Sequence, residues 1–519
     1  MEKEAKNNRR VIIMVIISFL FPFLLSVLFC LLRKISVFDL YIPNSYNNDS
    51  LYYYKTVASI VKYGAPRGFF GYNESRALIG GYGYWSPVIY FPWAVFGKIF
   101  GWNYATAIIS NLVLFGTSFS AFIYMRKPRW ASFGSMLALL SLFSGFSIHL
   151  LSFLPETLIA SVLLLFFGFV FREADAKNKR EKIGFGIGVY VCILFLTLLR
   201  PYLVTLFLFP MISQVKKGKK LAILWNLLGG AASLILYFTV THFFNAPYFS
   251  GMSGSGEALV AVFSGSPAEA IRALKGILVE MLRQVMNHLA AAFTRGYVPG
   301  TQYVVAFLTA ASLLAQMIFA KESEEKEKGY IYLLFFITVA VDFLACIIMM
   351  QKVNEGGRHL FVFAVVGMIL LSEVKWDVKN IVLRSLLLLI LIVFNFRGSY
   401  LHVDYDIPVY SEELHAEIDY LESCFEKENV AVTDKLGYEN TLIWVAADGG
   451  VVTNYNELYA IPDGMAISCC LEDYVTEHID SLQGKYLAVC GGGAIDEACR
   501  QKGRKEIART KDLVIYQLH

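Results

Sequence analysis

Residues 11–32 read VIIMVIISFLFPFLLSVLFCLL and follow the basic start MEKEAKNNRR. This run carries no charge, and a bilayer core needs about 20 apolar residues for each spanning helix. No small-residue cleavage site follows it, so it is predicted to be a membrane anchor rather than a removed signal peptide. Comparable runs recur along most of the chain, and together they indicate a membrane protein with several spanning helices.

Ten further apolar runs are predicted to be helices, several of them short enough to need a tilted or thinned setting. They lie at residues 104–124, 130–150, 157–171, 184–199, 202–215, 221–241, 302–320, 330–349, 360–372 and 381–396. Only 17% of the chain is charged, against roughly 25% in soluble domains. A soluble enzyme and a disordered scaffold are therefore excluded. The prediction is a polytopic α-helical membrane protein with about eleven transmembrane helices.

The Lys and Arg residues of the short loops set the predicted orientation. RKPR (126–129), READAKNKREK (172–182) and KKGKK (216–220) are basic, and all become cytoplasmic if the N-terminus is inside. Arg33 and Lys34, at the outer end of the first helix, oppose this orientation. We expect a multi-pass protein of the plasma membrane with a cytoplasmic N-terminus and an extracytoplasmic C-terminus.

The chain is predicted to divide into a membrane domain, residues 1–396, and a small extracytoplasmic α/β domain, residues 397–519. In the second part, SEELHAEIDYLESCFEKE and AIDEACRQKG read as helices, and NVAVTD, KYLAVC and KDLVIYQLH read as strands. The membrane domain has two long outer loops, residues 33–103 and 243–300.

The second outer loop contains one helical pattern with two interpretations. Apolar residues recur at helical spacing and basic residues flank them, which suits a helix in the membrane interface or one packed on the protein. The apolar positions are Ile271, Leu274, Leu278, Met281, Val285 and Leu289, and the basic ones are Arg272, Lys275 and Arg283.

Two acids are predicted at the outer boundary of the membrane. Asp49 precedes a helical pattern, where it suits either an N-cap or a general base that accepts a proton from an incoming hydroxyl. Glu156, in LLSFLPETL, suits either the dipole-favoured first turn of a helix or a polar site. Asp342, inside the apolar run FFITVAVDFLACIIMM, needs a partner or a polar cavity at that depth.

Candidate cations occur at the same boundary. Arg200 stands in FLTLLRPYL at a hairpin tip, and Arg358 and His359 stand in QKVNEGGRHLF. An arginine fork suits a phosphate bidentately. The competing interpretation for either arginine is snorkelling to the interface or pairing with a nearby acid such as Glu355.

The order of these motifs resembles the GT-C superfamily of polyprenyl-phosphate-sugar glycosyltransferases, and it is similar to the bacterial protein mannosyltransferases and aminoarabinose transferases. The matching stretches are Asp49-Ser50-Leu51-Tyr52-Tyr53, Ser86 to Gly101, Leu154-Pro155-Glu156-Thr157-Leu158, Leu196 to Pro201 and Arg358-His359-Leu360-Phe361. A terminal α/β domain outside the membrane is also usual in this superfamily. His359 departs from the commoner Tyr.

The resemblance implies an inverting glycosyltransferase that moves a sugar from a polyprenyl-phosphate donor to an acceptor hydroxyl at the outer membrane face. It implies catalytic roles for Asp49 and Glu156, and donor-phosphate binding by Arg358, Arg200 and His359. No Asp-x-Asp or paired Asp-Glu accompanies Asp49, which favours a metal-independent or weakly metal-assisted site and leaves a divalent metal ion open.

The expected partners are the lipid-linked donor, a glycan, lipid or protein acceptor, and membrane lipids, with no nucleic acid. Two other functions stay open. A transporter or flippase of lipid-linked saccharides would place its polar residues near the bilayer midplane. A lipid-linked glycan polymerase or ligase would use the same types of substrate.

Overall fold

A computed structural model of the chain describes most of its residues. The described ranges are 2–34, 36, 49–64, 86–244, 267–319, 323–350, 353–374, 378–398, 412–428, 441–446, 466–482, 485–511 and 513–519.

The membrane part is a bundle of α-helices. In chain order they are α1 (Glu2–Arg33), α2 (Asp49–Tyr63), α3 (Phe91–Phe100), α4 (Tyr104–Arg126), α5 (Trp130–Leu142), α6 (Ser144–Leu151), α7 (Pro155–Asp175), α8 (Lys179–Leu199), α9 (Leu208–Lys216), α10 (Ala222–Phe244), α11 (Pro267–Arg295), α12 (Val298–Phe319), α13 (Ser323–Met350), α14 (Val353–Glu373) and α15 (Val378–Phe396). Two 3₁₀ turns, Pro87–Tyr90 and Pro201–Phe207, precede α3 and α9.

All eleven predicted apolar runs coincide with helices of this bundle. Among the described residues, seven helices are long and apolar enough to cross a membrane, or eight if one bent pair is a single span. That pair is α5 and α6, which meet at 73°. The polytopic helical architecture is confirmed, whereas the count of about eleven spans stays a prediction.

Polar caps and prolines mark the helix boundaries. Asn103 and Thr106 form a reciprocal capping box at the start of α4, which satisfies backbone N–H groups that have no partner within the helix. Pro155 occupies the first position of α7, where its missing N–H costs nothing. Pro201 follows Arg200 and begins the second 3₁₀ turn.

The core helices pack closely, with α4 between α1 and α7. A Cβ atom added at Gly116 would lie 2.6 Å from the Phe19 carbonyl oxygen, so α1 and α4 approach each other at backbone distance. The Ser120 hydroxyl also donates to the Val15 carbonyl at 2.8 Å.

An ion-pair cluster joins the C-terminal ends of three helices. Arg126 of α4 lies 2.7 Å from Glu373 of α14 and 3.1 Å from Asp175 of α7. These helices therefore run in the same direction, and their N-terminal ends lie together at the opposite end of the bundle. We call that opposite end the site end.

The predicted apolar stripe lies on the long helix α11, and its two halves lie in different environments. Met281 is buried, and Val285 and Leu289 pack against the helical core, whereas Ile271 and Leu278 are exposed. The Leu274 side chain lies outside the described residues. Packing on the protein thus accounts for the C-terminal half of the stripe and leaves the N-terminal half uncovered.

The C-terminal part contains a five-stranded mixed sheet. Its elements are α16 (Glu412–Lys427), β1 (Thr441–Ala446), β2 (Ala466–Leu471), α17 (Glu472–His478), β3 (Tyr486–Cys490), α18 (Ala494–Gln501), β4 (Lys505–Arg509) and β5 (Leu513–Gln517). The strand order is β2-β1-β3-β5-β4. Strand β1 pairs in parallel with β2 and β3, and β5 pairs antiparallel with β3 and β4.

The sheet confirms the predicted α/β character of this region. The helices in SEELHAEIDYLESCFEKE and AIDEACRQKG and the strands in KYLAVC and KDLVIYQLH are present. The predicted strand NVAVTD lies outside the described residues. Strands β1, β2 and β4 and helix α17 were not predicted; β4 reads KEIAR, whose three charges conceal its alternation.

Asp496 is the polar centre of the sheet region. Its carboxylate accepts hydrogen bonds from the Gly492 amide at 2.7 Å, from Arg500 at 2.9 Å, from Arg509 at 3.1 Å and from the Tyr516 hydroxyl. The acid is fully buried, and the cluster ties α18 to β4 and β5.

Candidate active site

Glu156 lies at the site end of the bundle, in the first turn of α7. The partial positive charge of a helix N-terminus favours an acid there. The turn is fixed by Thr157, whose hydroxyl donates to the His149 carbonyl at 2.8 Å. The Glu156 side chain is only 1% exposed, so its charge requires partners inside the protein.

Two arginines supply those partners. Arg358 Nε lies 3.1 Å and Arg200 Nη2 lies 3.3 Å from the same oxygen, Glu156 Oε1. Both guanidinium groups are almost fully buried. The arginines therefore pair with an acid within the bundle rather than snorkelling; the other partner considered, Glu355, has its side chain outside the described residues.

Close backbone packing places Arg358 at this point. A Cβ atom added at the preceding residue, Gly357, would lie 3.0 Å from the Pro299 carbonyl oxygen at the start of α12. Any larger residue would have to move the start of α14 away from α12. The glycine thus allows the approach that carries Arg358 to Glu156.

The junction of α8 and the 3₁₀ turn places Arg200. Its backbone N–H donates to the Leu196 carbonyl at 2.9 Å, and its own carbonyl accepts from the Leu203 amide at 3.0 Å. The Leu-Thr-x-x-Arg-Pro motif therefore ends one helix and starts the next turn, and its arginine is directed into the bundle.

A small cavity adjoins the ion cluster. It is lined by Glu156, Ile159, Tyr202, Leu203, Asp342, His359, Val362 and Phe363. The Tyr202 hydroxyl and His359 Nδ1 lie 2.6 Å apart. Asp342 is 1% exposed and lies beside the Tyr202 hydroxyl in the field of Arg200. Its two oxygens make no ordinary hydrogen bond to a residue that the structure describes.

His149 lies near the cluster, because its ring packs on Phe361, three residues after Arg358. Its Nδ1 lies 2.9 Å from the Gly145 carbonyl oxygen, and because a carbonyl only accepts, Nδ1 carries the proton. The ring stacks on Phe361 at 3.9 Å with 9° between the planes. His149 Nε2 is buried and has no hydrogen-bond partner among the described residues, so it presents a lone pair in the interior.

Helix α2 begins at Asp49, so the helical pattern predicted after this acid is present and includes Asp49 itself. The Asp49 side chain lies outside the described residues, so neither its cap role nor its distance to the cluster is described. Tyr53, one turn later, is buried with ring centroids 5.8 Å from Tyr90 and 6.0 Å from Trp93. Trp93 in turn packs on Phe153 with ring centroids 4.3 Å apart, three residues before Glu156, which puts the first turns of α2 near the cluster.

The structure thus brings together four of the five predicted site residues: Glu156, Arg200, Arg358 and His359. It also adds Tyr202 and His149, which the sequence analysis did not single out. Tyr202 directly follows the Arg-Pro motif, which was the available signal for it. His149 falls in an apolar run, and nothing in the pattern marks it. The catalytic and phosphate-binding roles of the four predicted residues stay predictions.

No three His, Cys, Asp or Glu side chains converge at metal-binding distance within the described ranges. The two acids and one histidine around the cavity therefore do not form a three-ligand metal site. The predicted choice between a metal-independent and a weakly metal-assisted site stays open.

No family model and no curated protein matches the sequence. The solved structures that are similar to it include ArnT from Cupriavidus metallidurans bound to undecaprenyl phosphate, and the same protein in the apo state. The first has 11% identity and a TM-score of 0.43, the second 12% and 0.40, and each match covers 98% of both chains. No residue's role in this chain follows from either match.

Proposed function

We propose that this protein is an inverting glycosyltransferase that moves a sugar from a polyprenyl-phosphate donor to an acceptor hydroxyl at the outer membrane face. One observation carries the proposal. Two almost fully buried arginines share one oxygen of Glu156 at one end of a membrane helix bundle. Guanidinium groups bind phosphates through planar, charge-assisted hydrogen bonds, so this pair of arginines suits an anionic headgroup.

The arginines suit the leaving group of such a reaction. A phosphodiester donor carries one negative charge, and its phosphate gains a second when the bond to the anomeric carbon breaks. Fixed positive charge near developing negative charge is a large source of rate enhancement. Arg358 and Arg200 would hold the phosphate, with His359, next to Arg358 in the chain, as a third ligand.

Asp49 would act as the general base. It would accept the proton of the acceptor hydroxyl as that oxygen attacks the anomeric carbon, while the electron pair of the breaking bond stays on the lipid phosphate. The position of α2 supports this role, because Tyr53 of the same helix packs on Trp93, and Trp93 packs on Phe153, three residues before Glu156. Glu156 would position the sugar or acceptor through its second oxygen, which has no hydrogen-bond partner among the described residues.

A transfer assay with the purified protein in nanodiscs tests the proposed sugar transfer. A panel of undecaprenyl-phosphate-linked hexoses and pentoses is supplied with candidate acceptors, and release of undecaprenyl phosphate is measured. We expect release from at least one donor, and Asp49→Asn should abolish it. Release that is unaffected in Asp49→Asn would contradict the assigned base.

A transport assay separates the proposal from the flippase alternative. Proteoliposomes receive a fluorescent polyprenyl-phosphate sugar in one leaflet, and its movement to the other leaflet is followed by quenching. We expect no acceleration over protein-free vesicles. Accelerated movement without phosphate release would replace the enzyme by a transporter.

A further inference from the structure

Two acids and two arginines at the site end form a buried cluster of balanced charge. Glu156 and Asp342 are acids, Arg200 and Arg358 are bases, and each is 1% exposed or less. Burying an uncompensated charge is strongly unfavourable. With all four ionised, their formal charges sum to zero.

Binding a phosphodiester to this cluster would add one negative charge. The two acids differ in how firmly they are held as anions. Glu156 contacts both arginines within 3.3 Å, whereas Asp342 forms no ion pair with a described residue and adjoins the Tyr202 hydroxyl. Protonating Asp342 therefore loses less favourable interaction energy than protonating Glu156. With Asp342 neutral, the two positive charges of the arginines equal the two negative charges of Glu156 and the phosphate.

We propose that Asp342 takes up one proton from solvent when the donor phosphate binds. The inference rests on the proposed function and deepens it, since it makes Asp342 the group that couples donor binding to pH. The step adds one proton to a carboxylate oxygen of Asp342, and no other bond forms or breaks.

Among the described residues, a few titratable or charged side chains face Asp342 from the elements packed around α13. The 3₁₀ turn and the residue before it present Tyr202 and Arg200, α7 presents Glu156, and α14 presents His359 and Arg358. From α12, Tyr303 packs on Phe343, and Lys216 of α9 lies over Tyr330, three helical turns earlier in α13. Of the two acids Glu156 and Asp342, Asp342 is therefore the one that forms no ion pair with a residue that the structure describes.

The expected pH dependence has a definite sign. Below the pKa of Asp342 in the free protein, the acid is already neutral and the phosphate binds without proton uptake. Above it, each pH unit weakens the apparent affinity about tenfold, because one proton must be bound first. Asp342→Asn is neutral at every pH, so its affinity should be constant and equal to the low-pH affinity of the wild-type protein.

The test measures the Kd of undecaprenyl methyl phosphate for the full-length protein in nanodiscs between pH 6 and pH 9. This diester carries one negative charge throughout, so the ligand does not titrate. We expect the affinity of the wild-type protein to fall with rising pH and that of Asp342→Asn to stay flat. Glu173→Gln, which removes an acid at the other end of α7 where it pairs with Lys217, should keep the slope of the wild-type protein.

A second measurement needs no variant. Calorimetric titration of the wild-type protein in two buffers of different ionisation enthalpy should report about one proton taken up for each ligand bound at high pH. A flat Kd together with no proton uptake would overturn the inference and leave the proposed function standing. Failure of the wild-type protein to bind the diester at any pH would overturn both.

Discussion

Glu156 of α7 holds Arg358 of α14 with 3.1 Å between Oε1 and Nε, although the two residues lie in different parts of the chain. Arg200 reaches the same oxygen from the end of α8. Three helices are therefore joined by one carboxylate at the end of the bundle opposite the Arg126 ion pairs.

Arg358→Lys should weaken binding of the lipid phosphate while the protein still folds. Lysine keeps the charge but loses the planar fork that can contact carboxylate and phosphate together. Losing one charge-assisted hydrogen bond costs about 1.5–3 kcal/mol, so the Kd of undecaprenyl methyl phosphate should rise by about one to two orders of magnitude. Arg397→Lys, in the turn after α15, is the matched control. Equal affinities in the two variants would remove Arg358 from the phosphate site.

Asp49→Asn should lower turnover and leave donor binding intact. Losing a general base costs about 10²–10⁴ in rate, while asparagine has the same shape and still caps a helix. The readout is kcat in the transfer assay, measured beside the Kd of the diester. A variant that folds, binds and turns over normally would show that Asp49 only caps α2.

Gly116→Ala should destabilise the membrane domain. Its methyl group would lie 2.6 Å from the Phe19 carbonyl oxygen, so α1 and α4 would have to separate. Gly134→Ala is the control, because a Cβ atom there meets nothing within 4 Å and alanine favours a helix by about 1 kcal/mol. Thermal unfolding in detergent should show a lower Tm for the first variant and an unchanged or higher Tm for the second. The reverse order would contradict the close packing of α1 on α4.

The sheet region should lose stability in acid through Asp496. Burial opposes ionisation of Asp496, but hydrogen bonds from Arg509, Tyr516 and the Gly492 amide outweigh it and hold the pKa of the acid well below its usual range. The stabilisation is complete above the unfolded pKa of about 3.9 and is lost as the pH falls below it towards the folded pKa.

Asp496→Asn tests this cluster at neutral pH. Arg500 and Arg509 are partly exposed, so the cost should fall between the about 1 kcal/mol of an exposed pair and the about 3–5 kcal/mol of a buried one. Hydrogen exchange of residues 485–519 in the full-length protein should accelerate in the variant. Glu497→Gln, whose exposed side chain belongs to the same helix, should leave the exchange unchanged. Acceleration in both variants would indicate a loss of helix α18 rather than of the cluster.

Much of the fold was predictable because membrane helices are encoded locally. Each predicted apolar run coincides with a helix, since about 20 apolar residues suffice to define a span. The bend between α5 and α6 was not predictable, because the run 130–150 is apolar throughout and the break at Phe143 depends on tertiary packing. In the sheet, β4 was missed because its charges hide the alternation on which strand prediction relies.

The candidate site was predictable as a set of residues but not as a set of contacts. Glu156, Arg200, Arg358 and His359 could be selected because charged or titratable residues at membrane boundaries are costly and therefore informative. The sequence does not show that both arginines contact one carboxylate, because the helices that carry them lie far apart along the chain. His149 has no such signal in its apolar run, and the signal for Tyr202 is its place directly after the Arg-Pro motif.

The most direct test of the central claim is a structure of the full-length protein in nanodiscs with bound undecaprenyl phosphate. We predict that the phosphate lies at the site end, with its oxygens about 3 Å from the guanidinium groups of Arg358 or Arg200 and the prenyl chain along the helices. A phosphate bound near the middle of the bundle, or at the end where Arg126 meets Glu373, would contradict it.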